Sequence, residues 1–214
     1  MRILALDAAL ARCSAALVHD GVVIASRTAA SGRGQSAVLA PMVAEIIAGQ
    51  TFDAVAVTVG PGSFTGLRTA LSLAHGLAAG RCPVIGVTVA EALAEAAGPL
   101  AGRTLWVAID SRRGRVFLDI EGKIGPVLLR DLPAPAGPVA VAGDAAIEVA
   151  AWLAAQNRDV MLTDVRLPQA TCVAAVAARR MAGMLAPLAA SPLYIDPPEA
   201  RLPAGGLRPA PTAA

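Results

Sequence analysis

Two aspartates stand at the ends of two similar apolar segments. Asp7 closes "RILALD" and Asp110 closes "RTLWVAID". Such strand-end carboxylates hold the metal of a nucleotide bound between two lobes when hydroxyls follow in the next turn. "AAL" follows Asp7 and supplies no hydroxyl, whereas "SRRG" follows Asp110 and offers Ser111 and two arginines. The second turn either meets a phosphate or is a solvated turn, and a vestigial nucleotide cleft is the most that the pair predicts.

A glycine-rich loop lies between an apolar strand and an almost uncharged helix. It misses both the GxxxxGK[ST] and the GxGxxG phosphate-binding patterns. Two interpretations stay open: an anion site at a helix start capped by Ser63 or Thr65, and a tight strand-to-helix turn. The tight turn is the favoured one. The loop comprises Gly60, Pro61, Gly62, Ser63, Phe64, Thr65 and Gly66.

Residues for metal-dependent or nucleophilic catalysis are sparse. The chain has two histidines, His19 and His75, and neither forms an HxxxH or HExxH pair. No GxSxG motif occurs, so neither a protease nor a serine hydrolase is indicated. The three cysteines are far apart, which predicts reduced thiols and not a disulfide frame or a zinc site. We therefore expect no metal ligand set and no catalytic residue.

Composition indicates a globular protein with a core of small aliphatic side chains. Of 214 residues, 56% are hydrophobic and only 3% aromatic, and the formal net charge is +2. That charge is too small to predict nucleic-acid binding by itself. No uninterrupted apolar run is long enough for a bilayer. We expect a cytoplasmic protein without a membrane partner.

The order of predicted elements indicates a mixed α/β fold that is duplicated. Three antiparallel strands come first, with Asp20-Gly21 as a hairpin turn, and helix, strand, helix and strand follow. The plan of strand, aspartate, turn and strand then returns near Asp110. Asp144 is expected to cap the helix after it. The predicted domains are a first lobe at 1–100, a smaller second lobe at 101–195 and a flexible tail at 196–214.

The helices at 36–48 and 64–78 have more apolar or small-residue surface than one contact needs. On the second, the leucines and alanines form one arc that should pack on the sheet. Thr69, Ser72 and Gly76 lie on the opposite side, with Arg68 and His75 on the rim. Either the two helices pack only on each other, or they form a helix–helix interface with another protein. The interface is the favoured interpretation.

"ILALDAALARCSAALVHDG", "QSAVLAPMV" and above all "VGPGSFTGLRTALSLAHGLA" resemble the TsaB (YeaZ) family. The resemblance implies a duplicated actin/Hsp70-like (ribonuclease H-like) fold. It implies a non-catalytic paralogue of TsaD that helps form N6-threonylcarbamoyladenosine at position 37 of tRNAs reading ANN codons. The implied partners are TsaD as a heterodimer, TsaE, and a second copy through the same helices, with tRNA reached only through the complex. It also implies that this chain binds no cofactor tightly, with ATP or ADP only at the junction with partners.

The resemblance places the partner surface on both helices, and three positions depart from the family pattern. Ala8 replaces a hydroxyl, Gln35 replaces a histidine, and Arg115 replaces a glutamate. The first and third replacements weaken any nucleotide role. A small-molecule kinase or ATPase of the same superfamily is the competing hypothesis, supported by Asp7 and Asp110. The implied partner residues are Leu39, Met42, Val43 and Ile46 on the first helix, and Arg68, Thr69, Ser72, His75 and Gly76 on the second.

Overall fold

The first half of the chain builds a five-stranded mixed sheet. The computed structural model describes residues 1–30 and 35–195. Strand order is β3-β2-β1-β4-β5, with β1 antiparallel to β2 and parallel to β4. Asp20 and Gly21 both have positive φ at the β2–β3 hairpin, as predicted. The strands are β1 (Arg2–Asp7), β2 (Arg12–His19), β3 (Val22–Ala30), β4 (Ala54–Gly60) and β5 (Val84–Thr88).

The second half repeats this sheet strand for strand. Its order is β10-β9-β6-β7-β8, so that β6, like β1, has an antiparallel hairpin on one side and a parallel pair on the other. The repeat confirms the predicted duplication and the fold class. The strands are β6 (Thr104–Asp110), β7 (Val116–Ile120), β8 (Lys123–Val127), β9 (Val139–Ala142) and β10 (Val160–Leu162).

Five helices cover the sheets. Helices α1 and α2 pack on the face of the first sheet that carries Leu4 and Leu6, and α4 packs on the second sheet. Among the described residues, no helix combines the length and apolar character needed to cross a bilayer. The helices are α1 (Gln35–Ile47), α2 (Phe64–Ala78), α3 (Val89–Ala97), α4 (Ala146–Ala155) and α5 (Ala170–Met181).

The last helix corrects the predicted domain boundaries. Helix α5 follows the second sheet in sequence, but it packs on β1 and β2 of the first sheet. Its Val173 and Val176 are buried against Ile3 and Ala5. The face of the first sheet opposite α1 and α2 therefore needs this helix, and the second lobe does not extend to residue 195. The proposed tail, 196–214, lies outside the described residues.

After α5 the chain returns along the outer edge of the first sheet as a segment that we call the return segment (residues 185–195). Ala189 bridges Ile85 of edge strand β5, and the N–H of Gly86 donates to the carbonyl of Leu188 at 3.2 Å. A Cβ at Gly86 would lie 2.5 Å from the Ala189 oxygen, so only glycine allows this approach. The side chain of Arg180, 6% exposed, donates to Ala186 and anchors the start of the segment.

Candidate functional site

The first strand-end aspartate is sealed inside the protein. Asp7 is 0% exposed; its Oδ1 accepts hydrogen bonds from the Thr58 hydroxyl at 2.8 Å and the Ala9 N–H at 3.1 Å. Among the described residues, its Oδ2 has no hydrogen-bond partner. Burial raises the pKa of Asp7 to about 6, although the Thr58 and Ala9 bonds and the Arg12 charge act in the opposite direction. The carboxyl is thus held inside the protein by Thr58 and the backbone of Ala9.

The second strand-end aspartate is occupied by its own turn. Asp110 accepts the N–H of Arg112 at 2.8 Å, and the Arg112 Nε lies 3.3 Å from its carboxylate. The same guanidinium lies 3.6 Å from Asp144. The sequence predicts either a phosphate contact or a solvated turn here. Arg112 is exposed and pairs with Asp110 of its own turn, which favours the solvated turn. Backbone groups of Ser111 and Arg115 close the turn, with Ser111 N–H donating to Arg115 at 3.1 Å.

Asp144 does not cap α4, contrary to the sequence prediction. Its Oδ1 accepts the N–H of Asp110 at 2.8 Å, and the helix begins after Ala145 without a side-chain cap. Burial raises the pKa of Asp144, the largest effect on that carboxyl. The side chain thus joins the ends of β6 and β9 and does not serve the helix.

Apolar side chains from both halves meet between the ends of β1 and β6. Leu10, 5% exposed, follows Asp7, and it lies in one buried cluster with Ile109 of β6 and Phe117 of β7. Helices α2 and α3 add further members. The cluster occupies the region where the sequence left room for a vestigial nucleotide cleft. Its buried members are Ala9, Leu10, Leu67, Val89, Ala90, Leu93, Val107, Ile109 and Phe117.

The glycine-rich loop packs against the turn after Asp7. The N–H of Ser63 donates to the Ala9 carbonyl at 2.7 Å, and a Cβ at Gly62 would lie 2.2 Å from that oxygen. Ser63 caps α2 by accepting the N–H of Gly66 at 3.2 Å, as one of the two predicted caps. The Gly60–Pro61 peptide is cis. These contacts favour the tight-turn interpretation, because the loop closes on its own chain.

The outward face of α2 is exposed in the described part of the chain, as predicted. Ser72 and Gly76 are exposed and Thr69 is half-buried. A Cβ at Gly76 would meet nothing within 4 Å. The opposite arc is buried on the sheet, and comprises Gly66, Leu67, Ala70, Leu71, Ala74 and Ala78.

The predicted partner residues of α1 are wrong for a surface role. They are 0–7% exposed and belong to the core of the first half, because the apolar arc of α1 is the side that packs on β2, β3 and α2. Apart from Glu45, the residues that α1 exposes in the described part of the chain are small. The buried set is Leu39, Met42, Val43 and Ile46, and the exposed set is Ala37, Ala40, Pro41, Ala44 and Glu45.

The two rim residues of α2 contact the return segment. His75 Nε2 donates to the Ala190 carbonyl at 2.9 Å, and Arg68 donates to the Tyr194 hydroxyl from Nε at 3.4 Å and Nη2 at 3.3 Å. The Arg68 guanidinium also lies 3.8 Å from the centre of the Phe64 ring. Sequence reasoning missed Tyr194, since 126 residues separate it from Arg68 and no local pattern links them.

A small cavity remains between the two halves, on the side of Arg12. It measures about 250 Å³ and is lined by Arg12, Asp164, Arg166 and Gln169, with Ala96, Val165 and Leu167. Arg12 Nη2 donates to the carbonyls of Leu167 and Pro168 at 2.8 and 2.7 Å. This arginine therefore ties the chain before α5 to the first sheet.

The duplicated sheets, each with an aspartate at the end of its first strand, define an actin/Hsp70-like (ribonuclease H-like) fold. A family model described as "TsaD: tRNA N6-adenosine threonylcarbamoyltransferase" matches residues 30–169. The chain belongs to the family that this model describes, and relatives named TsaB and YeaZ are similar to it. The resemblance seen in the "GPGSFTGLR" region is thereby confirmed.

Similar proteins support this assignment over different shares of the chain. The tRNA threonylcarbamoyladenosine biosynthesis protein TsaB of Escherichia coli is 40% identical over 124 residues, which cover 55% of this chain and 53% of that protein. The match thus spans about half the length of that curated relative. An uncharacterised protein of Mycobacterium tuberculosis is 35% identical over 93% of both chains. The solved structure of YeaZ from Pseudomonas aeruginosa is 28% identical, with a TM-score of 0.72 over 90% of this chain and 99% of that one.

Proposed function

We propose that this chain is a non-catalytic scaffold subunit in the formation of N6-threonylcarbamoyladenosine at position 37 of tRNAs that read ANN codons. The relatives named TsaB support a part in threonylcarbamoyladenosine biosynthesis. The scaffold role, and pairing with TsaD and TsaE, are the finer parts of the proposal. Its cytoplasmic location stays a prediction.

The observation that carries the scaffold role is the apolar cluster between the halves. In a working nucleotide site of this fold, a carboxylate faces a polar cleft. Here Leu10, Ile109 and Phe117 meet instead, and Asp7 lies behind them with 0% exposure. Opening that space would expose these side chains to water, at about 25 cal/mol for each Å² of apolar surface. We therefore place any nucleotide at the junction with partners.

The outward faces of α1 and α2 support the pairing role. They lie side by side, and most of the side chains that they expose are small, with Glu45 of α1 as an exception. Small residues let the backbone of a partner helix approach closely. We assign the TsaD-type partner to this face, and a second copy would compete for it. The assigned residues are Ala37, Ala40, Pro41 and Ala44 on α1, and Thr69, Ser72 and Gly76 on α2, with Arg68 and His75 on the rim.

The test is reconstitution with the TsaD and TsaE of the same organism, tRNA and threonylcarbamoyl-adenylate. We expect modification to require this chain, and Gly76→Glu to abolish its support. The charge would be buried without a partner, which weakens binding of TsaD by at least about tenfold. Nothing lies within 4 Å of the Gly76 Cβ position, so the variant should fold normally.

The matched control is Ala154→Glu, which places the same charge on an exposed position of α4. It should leave both TsaD binding and modification unchanged. Equal modification without this chain would disprove the scaffold role. If Gly76→Glu still binds TsaD normally, TsaD must bind another surface of this chain. The proposed part in threonylcarbamoyladenosine formation would still stand.

A small-molecule kinase or ATPase is the competing function, since Asp7 and Asp110 keep equivalent positions at the ends of β1 and β6. Calorimetry of the isolated chain with ATP and magnesium separates the two. We expect no tight binding and no phosphoryl transfer. Tight binding with turnover would favour the kinase.

A further inference from the structure

The chain exposes two of its few aromatic rings at one place. It has six aromatic residues in total. Trp106 and Phe117 are buried, whereas Phe64 is 56% and Tyr194 54% exposed. Their ring centres are 6.3 Å apart, with planes inclined by 32°. Exposed rings that lie together mark a binding surface more often than single exposed side chains do.

Arg68 turns the two rings into one preorganised surface. Its guanidinium stacks on Phe64 and donates to the Tyr194 hydroxyl. Arg68 is itself exposed, so its charge lies at the protein surface. The return segment holds Tyr194 in place, because the N–H of the preceding residue, Leu193, donates to the Val59 carbonyl at 2.8 Å.

We propose that Phe64, Arg68 and Tyr194 form a stacking site for an unpaired base of RNA, an inference that rests on the proposed function in tRNA modification. Proteins that take up single-stranded RNA stack its bases on aromatic rings and guanidinium planes, and place cations beside the phosphates. This cluster holds both kinds of group. The site lies at the N-terminal end of α2, and it shares Arg68 with the rim of the face assigned to the partner. The chain would thus contact tRNA directly while it holds that partner.

The experiment measures binding of an unmodified transcript of a tRNA that reads an ANN codon, by fluorescence anisotropy. It uses the full chain alone and in complex with TsaD. We expect Phe64→Ala to raise the dissociation constant by about 5- to 150-fold, the range for losing one base–aromatic stack. Phe64→Tyr keeps a ring and should restore binding. Arg68→Gln should lower the slope of log affinity against log salt by about one.

The matched control is Ile147→Ala on α4, because Ile147 is 57% exposed and nearly equals Phe64 in exposure. It should not change RNA affinity. TsaD binding is measured on the same preparations, so failure of the docking proposal is seen separately. Unchanged RNA affinity in Phe64→Ala overturns the stacking site. A loss of TsaD affinity with unchanged RNA affinity also overturns it, because the cluster would then be a protein contact. The proposal is likewise overturned if the wild-type chain binds no tRNA, either alone or in complex with TsaD.

Discussion

The buried carboxyl of Asp7 gives the sharpest prediction about stability. Its pKa is about 6 in the folded protein against 3.8 for the free group. The folded pKa is raised, so the contribution of Asp7 to stability is fully present below pH 3.8. That contribution is lost as the pH rises through about 6. At one pKa unit per 1.36 kcal/mol, the loss is roughly 3 kcal/mol by pH 7.5.

The perturbation is Asp7→Asn, which cannot ionise and can keep the bonds from Thr58 and Ala9 through its oxygen. Comparing the variant with the wild type cancels the titration of every other group. Because the amide nitrogen replaces an unpaired oxygen, the wild type and the variant need not have equal unfolding free energies at low pH. The difference in unfolding free energy should nevertheless shift in favour of the variant by roughly 2–3 kcal/mol between pH 4 and pH 7.5.

Urea unfolding at four or five pH values measures this difference, and melting temperature gives a second measure. At about 2–4 °C per kcal/mol for a chain of this size, the melting temperatures should separate by about 5–10 °C over the range. Thr58→Val is the companion variant. It removes the hydroxyl donor to the carboxylate, so its destabilisation should grow with pH, reaching about 1.5–3 kcal/mol at neutral pH. A pH-independent difference for Asp7→Asn would refute the reasoning.

Three further predictions concern glycines. Gly62→Ala should destabilise the fold by at least about 2 kcal/mol in urea unfolding, because its Cβ would lie 2.2 Å from the Ala9 oxygen; wild-type stability would contradict that packing. Gly76→Ala, with open space at the Cβ position, should stabilise the helix by about 0.5–1 kcal/mol; a loss of stability would show a hidden contact. Gly86→Ala should release the return segment, seen as faster amide exchange at Leu193 and protease cleavage near Ala189; unchanged protection would contradict the close approach.

Much of the first half could be predicted from local pattern. The Asp20-Gly21 hairpin, the buried arc of α2 and the Ser63 cap follow from local chemistry that a short stretch specifies. The apolar arc of α1 was also visible, but periodicity gives the width of an arc and not what covers it. Leu39 and Val43 were therefore assigned to a partner although they face their own sheet.

The errors and omissions share one cause, since each depends on contacts between distant parts of the chain. Asp144 has the sequence of a helix cap, yet it bonds to Asp110, 34 residues away. Tyr194 meets Arg68 only because the chain returns to the first sheet. Helix α5 follows the second sheet in sequence, and nothing in its own residues says which sheet it covers. The missing hydroxyls after Asp7 weaken a nucleotide role, but the apolar cluster that contains Leu10 and Phe117 could be seen only in the structure.

The position of α5 has a consequence for folding on the ribosome. The chain leaves the ribosome from its N-terminus, so the strands of the first sheet emerge long before residues 170–177. Until then Ile3, Ala5 and Val18 have no cover, and nascent chains with uncovered apolar faces are prone to aggregate. The first half cannot finish folding before the second has been synthesised. Release of a truncated product should consequently leave an insoluble fragment instead of a small working domain.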